Sequence, residues 1–330
     1  MATVAVTSPL PGTALDRLAR IHEVRRHPRG SPLRPAEVAE FAAGADALVT
    51  LLSDGIDASV FAACPGLEVV ANVAVGVNNI DLEAARAAGV WVTNTPDVLT
   101  EATADFTMAL ILAVTRRLVE GDRVMRAGSF TGWRPDYMLG AGLQGRVLGV
   151  VGLGRIGRAV ARRALAFGMR VHTYDPTPPA EPDVAVTLFA DLDALLPSVD
   201  VLTLHAPLLP STRRLIDGRR LALLPRGAYL VNTSRGEVVD EAALVAALSS
   251  GQLAGAALDV YEREPEVHPG LLGRDDVVLA PHLGSATRET RTAMADLAID
   301  NVLAVLAGRR PPTPVVEPGN RGPGTGDRAG

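Results

Sequence analysis

The 330-residue chain contains no lysine; all 32 residues counted as Lys plus Arg are arginine. A phosphate loop of the GxxxxGK(S/T) type, a Schiff-base lysine and a Ser–Lys pair each need an ammonium group, so all three are excluded. Coding bias toward Arg, Ala, Gly and Pro accounts for this absence better than a separate role for every arginine. Cysteine is almost as scarce: Cys64 alone permits no internal disulfide and no Cys-based zinc site, and it suits a reducing compartment. It reads as a small buried hydrophobe. Aromatic residues make up 4% of the chain, which leaves few stacking platforms, and the net charge of −5 comes from interspersed Arg and Asp/Glu. No electrostatic footprint for nucleic acid or anionic lipid results. No apolar run reaches the roughly 18 residues of a membrane span. The start, MATVAVTSPLPG, lacks a basic n-region and a long apolar h-region, so the expectation is a soluble, cytoplasmic protein.

What is present is ample core material, 48% of the residues being hydrophobic. A chain of this length can bury roughly three quarters of its unfolded surface and divides into about two domains. Short β-branched runs at Thr3–Thr7, Ala47–Leu51, Glu68–Asn72 and Val90–Thr93 alternate with helical patterns at Ala14–Arg20, Pro35–Ala43, Asp57–Ala63 and Asp81–Ala88. That alternation predicts an α/β fold with a parallel sheet covered on both faces. A single long helix is expected over 100–126, apolar almost all round near Met108–Val114 and so packed on two surfaces. A second alternating series follows, with strands at Val147–Leu153, Arg170–Tyr174, Val199–Leu204, Tyr229–Asn232, Ala256–Val260 and Val277–Leu279, then a helix at Arg288–Leu306. The Pro- and Gly-rich segment 311–330 is expected to be disordered.

Gly152-Leu153-Gly154-Arg155-Ile156-Gly157 lies between an apolar strand and a helix, and Asp175 ends the next strand 23 positions beyond Gly152. This is the dinucleotide-binding context. Gly152 permits the tight turn, Gly154 lets backbone approach a pyrophosphate, and Gly157 lets the helix pack close to the strand. The helix N-terminus offers N–H groups to the anion. Asp175 would accept hydrogen bonds from both ribose hydroxyls and repel a 2′-phosphate. No arginine follows it in YDPTPP, so NAD is favoured over NADP.

Three later strings, VNTSRGEVVDE, ALDVYEREP and APHLGSAT, each place a charged residue just after an apolar strand, at the sheet edge where ligands bind. They predict that Arg235, Glu264 and His282 share a crevice. Carbonyl reduction needs an acid for the oxygen, which His282 suits, and Glu264 would favour its protonated form. It also needs a cation that forks onto a carboxylate, which Arg235 suits. His205, with Ala206 and Pro207 in LHAPL, is expected to line the cofactor cleft, whereas His22, His27, His172 and His268 read as surface or loop residues. No histidine pair has zinc-motif spacing, and no metal is expected.

Together with ANVAVGVNNIDLEAARAAGVWVTNTP, EATADF, LGVVGLGRIG and LHAPLLPST, these strings resemble the D-isomer-specific 2-hydroxyacid dehydrogenase family over roughly residues 45–308. The resemblance implies two doubly wound parallel-sheet domains, with a Rossmann NAD-binding domain (99–287) inserted into a flavodoxin-like substrate domain (1–98 plus 288–310). It makes His282 the general acid/base, Glu264 its carboxylate partner and Arg235 the substrate-binding cation. Backbone N–H groups of Val75 and Gly76 would cradle the substrate carboxylate. Arg155 and Ile156 match pyrophosphate contacts, Thr103 and Asp259 nicotinamide contacts, and Thr212, Thr233, Ser234, Gly284 and His282 further cofactor-lining positions. Formate dehydrogenases of the superfamily have Gln where this chain has Glu264, and nothing after residue 308 matches the regulatory domain of some phosphoglycerate dehydrogenases.

GSFTGWRPDYMLGAGLQG resembles the glyoxylate/hydroxypyruvate reductase branch, where a Trp can reach the partner's active site; Trp133 takes that place, as a substrate contact or only as an interface anchor. The expectation is an NADH-dependent 2-oxoacid reductase, homodimeric through the 100–126 helix and the 127–145 segment. Glyoxylate or hydroxypyruvate leads as substrate. Alternatives are another 2-hydroxyacid such as 3-phosphoglycerate or D-lactate, phosphite oxidation, or an NAD(H)-sensing, corepressor-like binding protein.

Overall fold

The computed structural model describes residues 1–28, 32–180 and 183–318. In chain order the first stretch carries β1 (Thr3–Val6), α1 (Ala14–Ala19), β2 (Glu23–Arg26), α2 (Pro35–Ala42), β3 (Ala47–Thr50), α3 (Ala58–Ala63), β4 (Val69–Asn72), α4 (Leu82–Ala88) and β5 (Trp91–Thr93). Then come α5 (Thr100–Thr115), α6 (Leu118–Arg126), β6 (Val147–Val151), α7 (Arg155–Ala166), β7 (Arg170–Tyr174), β8 (Thr187–Phe189) and α8 (Leu192–Leu195). The series continues with β9 (Val201–Leu204), α9 (Gly218–Leu223), β10 (Ala228–Asn232), α10 (Glu241–Ser249), β11 (Leu253–Leu258) and β12 (Val277–Leu279). The chain closes with α11 (Arg288–Leu306) and β13 (Pro314–Val316). It forms two compact units, one of residues 1–99 with 287 onward, the other of residues 100–286.

In the first unit the strand order is β13-β5-β4-β3-β1-β2. Every pairing is parallel except that of β13 with β5. β3 and β4 are buried along their whole length, which is why they read as unbroken apolar runs: a parallel sheet is covered on both faces. The second unit is ordered β12-β11-β10-β9-β6-β7-β8 and is parallel throughout. Alternate residues divide between its two faces, as the strand period of two requires. Val147, Val151, Leu202, Leu204, Leu230 and Leu258 join one core, while Leu148, Val150, Val201, Val231 and Ala257 join the other. Helix starts are set locally: Asp57, Asp81, Asp217, Asp240 and Thr287 each accept a first-turn N–H with their side chains.

Chain direction from β6 runs outward both ways, to β7 on one side and β9 on the other, so a topological switch point lies between β6 and β9. The loops leaving these strands carry Gly152 and His205.

Four expectations are corrected. The single helix over 100–126 is two, because Arg117 takes a left-handed conformation (φ 52°) and its guanidinium folds back onto Glu120 at 2.7 Å. Segment 311–330 is not disordered throughout: Pro314–Val316 pairs with β5 and Val316 is buried. Averaging over a Gly- and Pro-rich stretch hides a Val-Val pair, and proline is tolerated on an edge strand; residues 319–330 lie outside the described residues. The edge strands β2 and β8 go unpredicted, EVRR having no apolar run because an edge needs none. His172 is not a surface residue but sits half-buried on β7, with Nδ1 2.9 Å from the Ser198 hydroxyl.

Candidate active site

The candidate site is built at the carboxyl ends of the second unit's strands. After β6, Gly152 adopts φ 96°, and a Cβ there would lie 2.8 Å from the His205 carbonyl carbon. At Gly157 a Cβ would come within 2.0 Å of the Gly152 oxygen, so only glycine lets α7 start against the strand. Gly154, the residue before the helix, has nothing within 4 Å of its Cβ position, and no side chain caps the helix there. Open space before a 12-residue helix suits a pyrophosphate. Arg155 and Ile156 form the first helical turn. Asp175, at the end of β7, is tied into the same loop. Its Oδ2 accepts the Leu153 N–H at 2.7 Å and its Oδ1 the Thr177 N–H at 2.8 Å.

After β9, the His205 N–H donates to Val151 O, and Nε2 lies 3.0 Å from the Thr203 hydroxyl. Burial pushes His205 down to about 3, so the ring is neutral near pH 7. Ala206 is buried and Pro207 exposed. The Thr212 hydroxyl donates to Pro207 O at 2.6 Å and accepts the Leu209 N–H at 2.8 Å, closing that turn.

After β10, Thr233 Oγ1 meets Thr107 Oγ1 of α5 at 2.9 Å. Asn232 clamps the turn that follows: its Oδ1 accepts from the Ser234 N–H and hydroxyl, and its Nδ2 donates to Arg235 O at 2.9 Å. Arg235 Nη1 donates to Ser234 O, and no carboxylate of a described residue lies within ion-pair distance of the guanidinium. Burial pulls Arg235 below its ordinary value, with Glu264 and Glu237 acting against that. Gly236 makes the placement possible, because a Cβ there would lie 1.8 Å from the Tyr261 carbonyl carbon.

Glu264 and His282 meet at 3.0 Å, Oε2 to Nδ1, leaving Nε2 as the ring's other nitrogen. The second Glu264 oxygen accepts the Tyr261 N–H at 3.1 Å. Burial pushes Glu264 up, but the His282 hydrogen bond and charge, the Tyr261 N–H and Arg235 together hold it below its usual range, so it is ionised. His282 takes φ 55°, a conformation uncommon for a side-chain-bearing residue, and its N–H donates to Asp259 O. Asp259, almost fully buried, accepts the Leu283 and Gly284 N–H groups at 2.6 and 2.8 Å. Burial raises it, against those two bonds and the nearby His282. A Cβ at Gly284 would lie 3.2 Å from Asp259 Oδ2 and 3.4 Å from Thr103 Cγ2, so Thr103, Asp259 and Gly284 come together.

Two observations outside the chain agree with this geometry. The family model described as "D-isomer specific 2-hydroxyacid dehydrogenase, NAD binding domain" matches residues 108–284. Glyoxylate reductases of Thermococcus litoralis and Korarchaeum cryptofilum are 43% and 46% identical, over 94% of this chain and 95% and 94% of theirs. The chain belongs to the D-isomer-specific 2-hydroxyacid dehydrogenase family.

As such it is an NAD-dependent oxidoreductase. Among solved structures it is similar to the TT0316 protein of Thermus thermophilus (51% identity, TM-score 0.90, 95% of this chain and 100% of that one). It is also similar to an NADPH-dependent glyoxylate/hydroxypyruvate reductase of Sinorhizobium meliloti (37%, TM-score 0.85, 96% and 98%). Among the described residues no helix is long and apolar enough to cross a membrane.

This dehydrogenase uses further residues that sequence reasoning did not single out. Glu241, the first residue of α10, accepts the Glu262 N–H at 2.8 Å, so its carboxylate holds the start of the loop that carries Glu264. Arg214 holds the Glu262 side chain at 2.7 Å. Asn232, Glu241 and Arg214 stand in or near the quoted strings, but only their hydrogen-bond partners reveal the role. In the first unit, Val75 and Gly76 lie on the exposed loop after β4. Trp133 is 81% exposed on the irregular segment after α6.

Proposed function

We propose that the chain reduces glyoxylate to glycolate, and hydroxypyruvate as the second substrate to the D-2-hydroxyacid, with NADH as reductant. The observation that carries this reading is Arg235, half-buried and without a carboxylate partner among the described residues, beside the Glu264–His282 pair. A guanidinium in that state has its fork available for a planar anion. Curated relatives at 43–46% identity are glyoxylate reductases, which supports the choice of a small 2-oxoacid.

In this reading NADH, when bound, supplies the hydride that the carbonyl carbon accepts. The loop Gly152–Gly157 and the N-terminus of α7 hold the pyrophosphate, with Arg155 and Ile156 at its contacts. Asp175 takes the ribose hydroxyls and disfavours a 2′-phosphate. Thr103, His205, Ala206, Pro207, Thr212, Thr233, Ser234, Asp259 and Gly284 line the remainder. Arg235 holds the carboxylate and polarises the carbonyl. Its charge persists at every working pH because guanidinium does not deprotonate in proteins. His282 Nε2 gives its proton to the carbonyl oxygen as the C–H bond forms, and Glu264 steadies the ring through Nδ1. On the first unit, the proposed ligands of a substrate carboxylate are the N–H groups of Val75 and Gly76.

The exposed apolar side chains of Leu118, Met125, Phe130, Trp133 and Leu139 lie on α6 and the segment after it. We assign them to a homodimer interface; sedimentation should give a dimer for the native chain and a weaker one for Trp133→Ala. Cys64, a lone buried thiol, fits a cytoplasmic enzyme.

The deciding experiment is steady-state NADH oxidation with glyoxylate, hydroxypyruvate, pyruvate and phosphohydroxypyruvate. The reading expects kcat/KM to favour glyoxylate or hydroxypyruvate and NADH to outperform NADPH. Tight NADH binding without turnover of any of the four would favour the nucleotide-sensing alternative.

A further inference from the structure

Three consecutive peptide carbonyls after β4 are each tied from behind. Ala74 O accepts the Thr95 N–H at 2.8 Å, Val75 O accepts Asn94 Nδ2 at 2.8 Å, and Gly76 O accepts Asn72 Nδ2 at 2.9 Å. A trans peptide is planar and carries its C=O and N–H on opposite sides. Pinning these carbonyls therefore aims the N–H groups of Val75, Gly76 and Val77 the other way. None of the three N–H groups donates to an acceptor among the described residues.

We infer that Asn94 and Asn72 are positioning residues, whose side-chain amides set the direction of the cradle's N–H groups and thereby its affinity for the substrate carboxylate. The inference rests on the reading that this loop receives that carboxylate. Neither side chain needs to touch substrate. An uncharged amide suits this role, because a carboxylate in its place would repel the incoming anion and a cation would compete with the backbone for it.

Each amide is seated by the rest of its unit. Asn72 is fully buried, and its Nδ2 also lies 3.2 Å from Asn79 Oδ1. Asn79 in turn donates to Leu51 O and Asp54 O, both at 3.0 Å. The Asn94 main chain is held by the C-terminal segment: the Thr313 hydroxyl donates to Asn94 O at 2.7 Å, and Thr313 is itself fixed by Asn301 of α11. The segment leading into β13 thus reaches the cradle through Asn94. A cradle ordered before substrate arrives does not spend binding energy on ordering itself.

The test compares glyoxylate with methyl glyoxylate, which lacks the carboxylate charge, in NADH-dependent reduction by the full chain, Asn94→Ala, Asn94→Leu and Thr313→Val. The native enzyme should strongly prefer the acid. Both Asn94 variants should raise KM for glyoxylate about tenfold or more, the scale of a weakened hydrogen bond to a charged group. Their kcat, their KM for the ester and their Kd for NADH should stay near native, and Thr313→Val should fall between. Unchanged acid-over-ester preference in the folded Asn94 variants, or a loss confined to kcat, overturns the inference. Asn94→Leu fills the space should Asn94→Ala lose its fold, and Thr313→Val acts one residue further away. If the native enzyme takes the ester as well as the acid, the carboxylate reading of the loop fails instead.

Discussion

A half-buried guanidinium with no carboxylate paired to it is costly to maintain, and Arg235 is kept that way by its backbone. Asn232 holds its carbonyl, Gly236 lets the chain turn under Tyr261, and Glu264 acts only through its field. Two histidines stand at strand ends in the same unit, and their surroundings separate them. His282 has an ionised carboxylate on Nδ1. His205 is held near 3 by burial, so it is the wrong acid for chemistry near pH 7. That difference has a consequence for stability. The unfolded chain binds a proton at His205 below about pH 6.5, whereas the folded chain does not until about pH 3. The stabilisation is therefore complete above the unfolded value and is lost as pH falls below it. His205→Gln should flatten the decline of the urea midpoint between about pH 6.5 and pH 5; equal slopes for variant and native chain would contradict the burial argument. Arg235, Glu264 and His282 were legible in the sequence because residue type, strand end and string coincide. Asn94, Asn72 and Glu241 were not, since an amide or a carboxylate announces nothing until its hydrogen-bond partners are known.

Loops, rather than strands, set the geometry at the scale of elements. The start of the loop that carries Glu264, at Tyr261 and Glu262, is fastened by Glu241, by Arg214 on Glu262, and by the close approach of Gly236 to Tyr261. The contact at Gly236 is backbone against backbone, so neither side can yield by a rotamer change. Gly236→Ala should cost about 1–3 kcal/mol or more of stability, in the range of overpacked cores. It should also lower kcat/KM about a hundredfold, because a misplacement of about 1 Å at a reacting group has that effect. Thermal unfolding and steady-state kinetics on one preparation would show both losses, and native activity in this variant would refute the fastening. Interior strands such as β3, β4 and β6 were readable because burial on both faces demands an apolar run. The edge strands β2, β8 and β13 carry no such demand, and the break at Arg117 depends on a side chain folding back onto Glu120, which periodicity does not record.

For the whole molecule, the fold class followed from strand–helix alternation, and the cofactor from a glycine string with an acidic residue at the end of the next strand. The substrate did not follow from either, because the backbone N–H groups proposed to receive its carboxylate have no side-chain signature. A chain without lysine meets its need for a fixed cation with arginine, and the proposed reaction needs only one, for which Arg235 is the candidate. In the proposed reaction His282 is the proton donor to the carbonyl oxygen. That role is tested most directly by single-turnover reduction of glyoxylate with saturating NADH, native chain against His282→Ala. The variant should keep its NADH affinity and react about 10²–10⁴-fold more slowly, the usual contribution of a positioned general acid. A variant that turns over within about threefold of the native rate would contradict it.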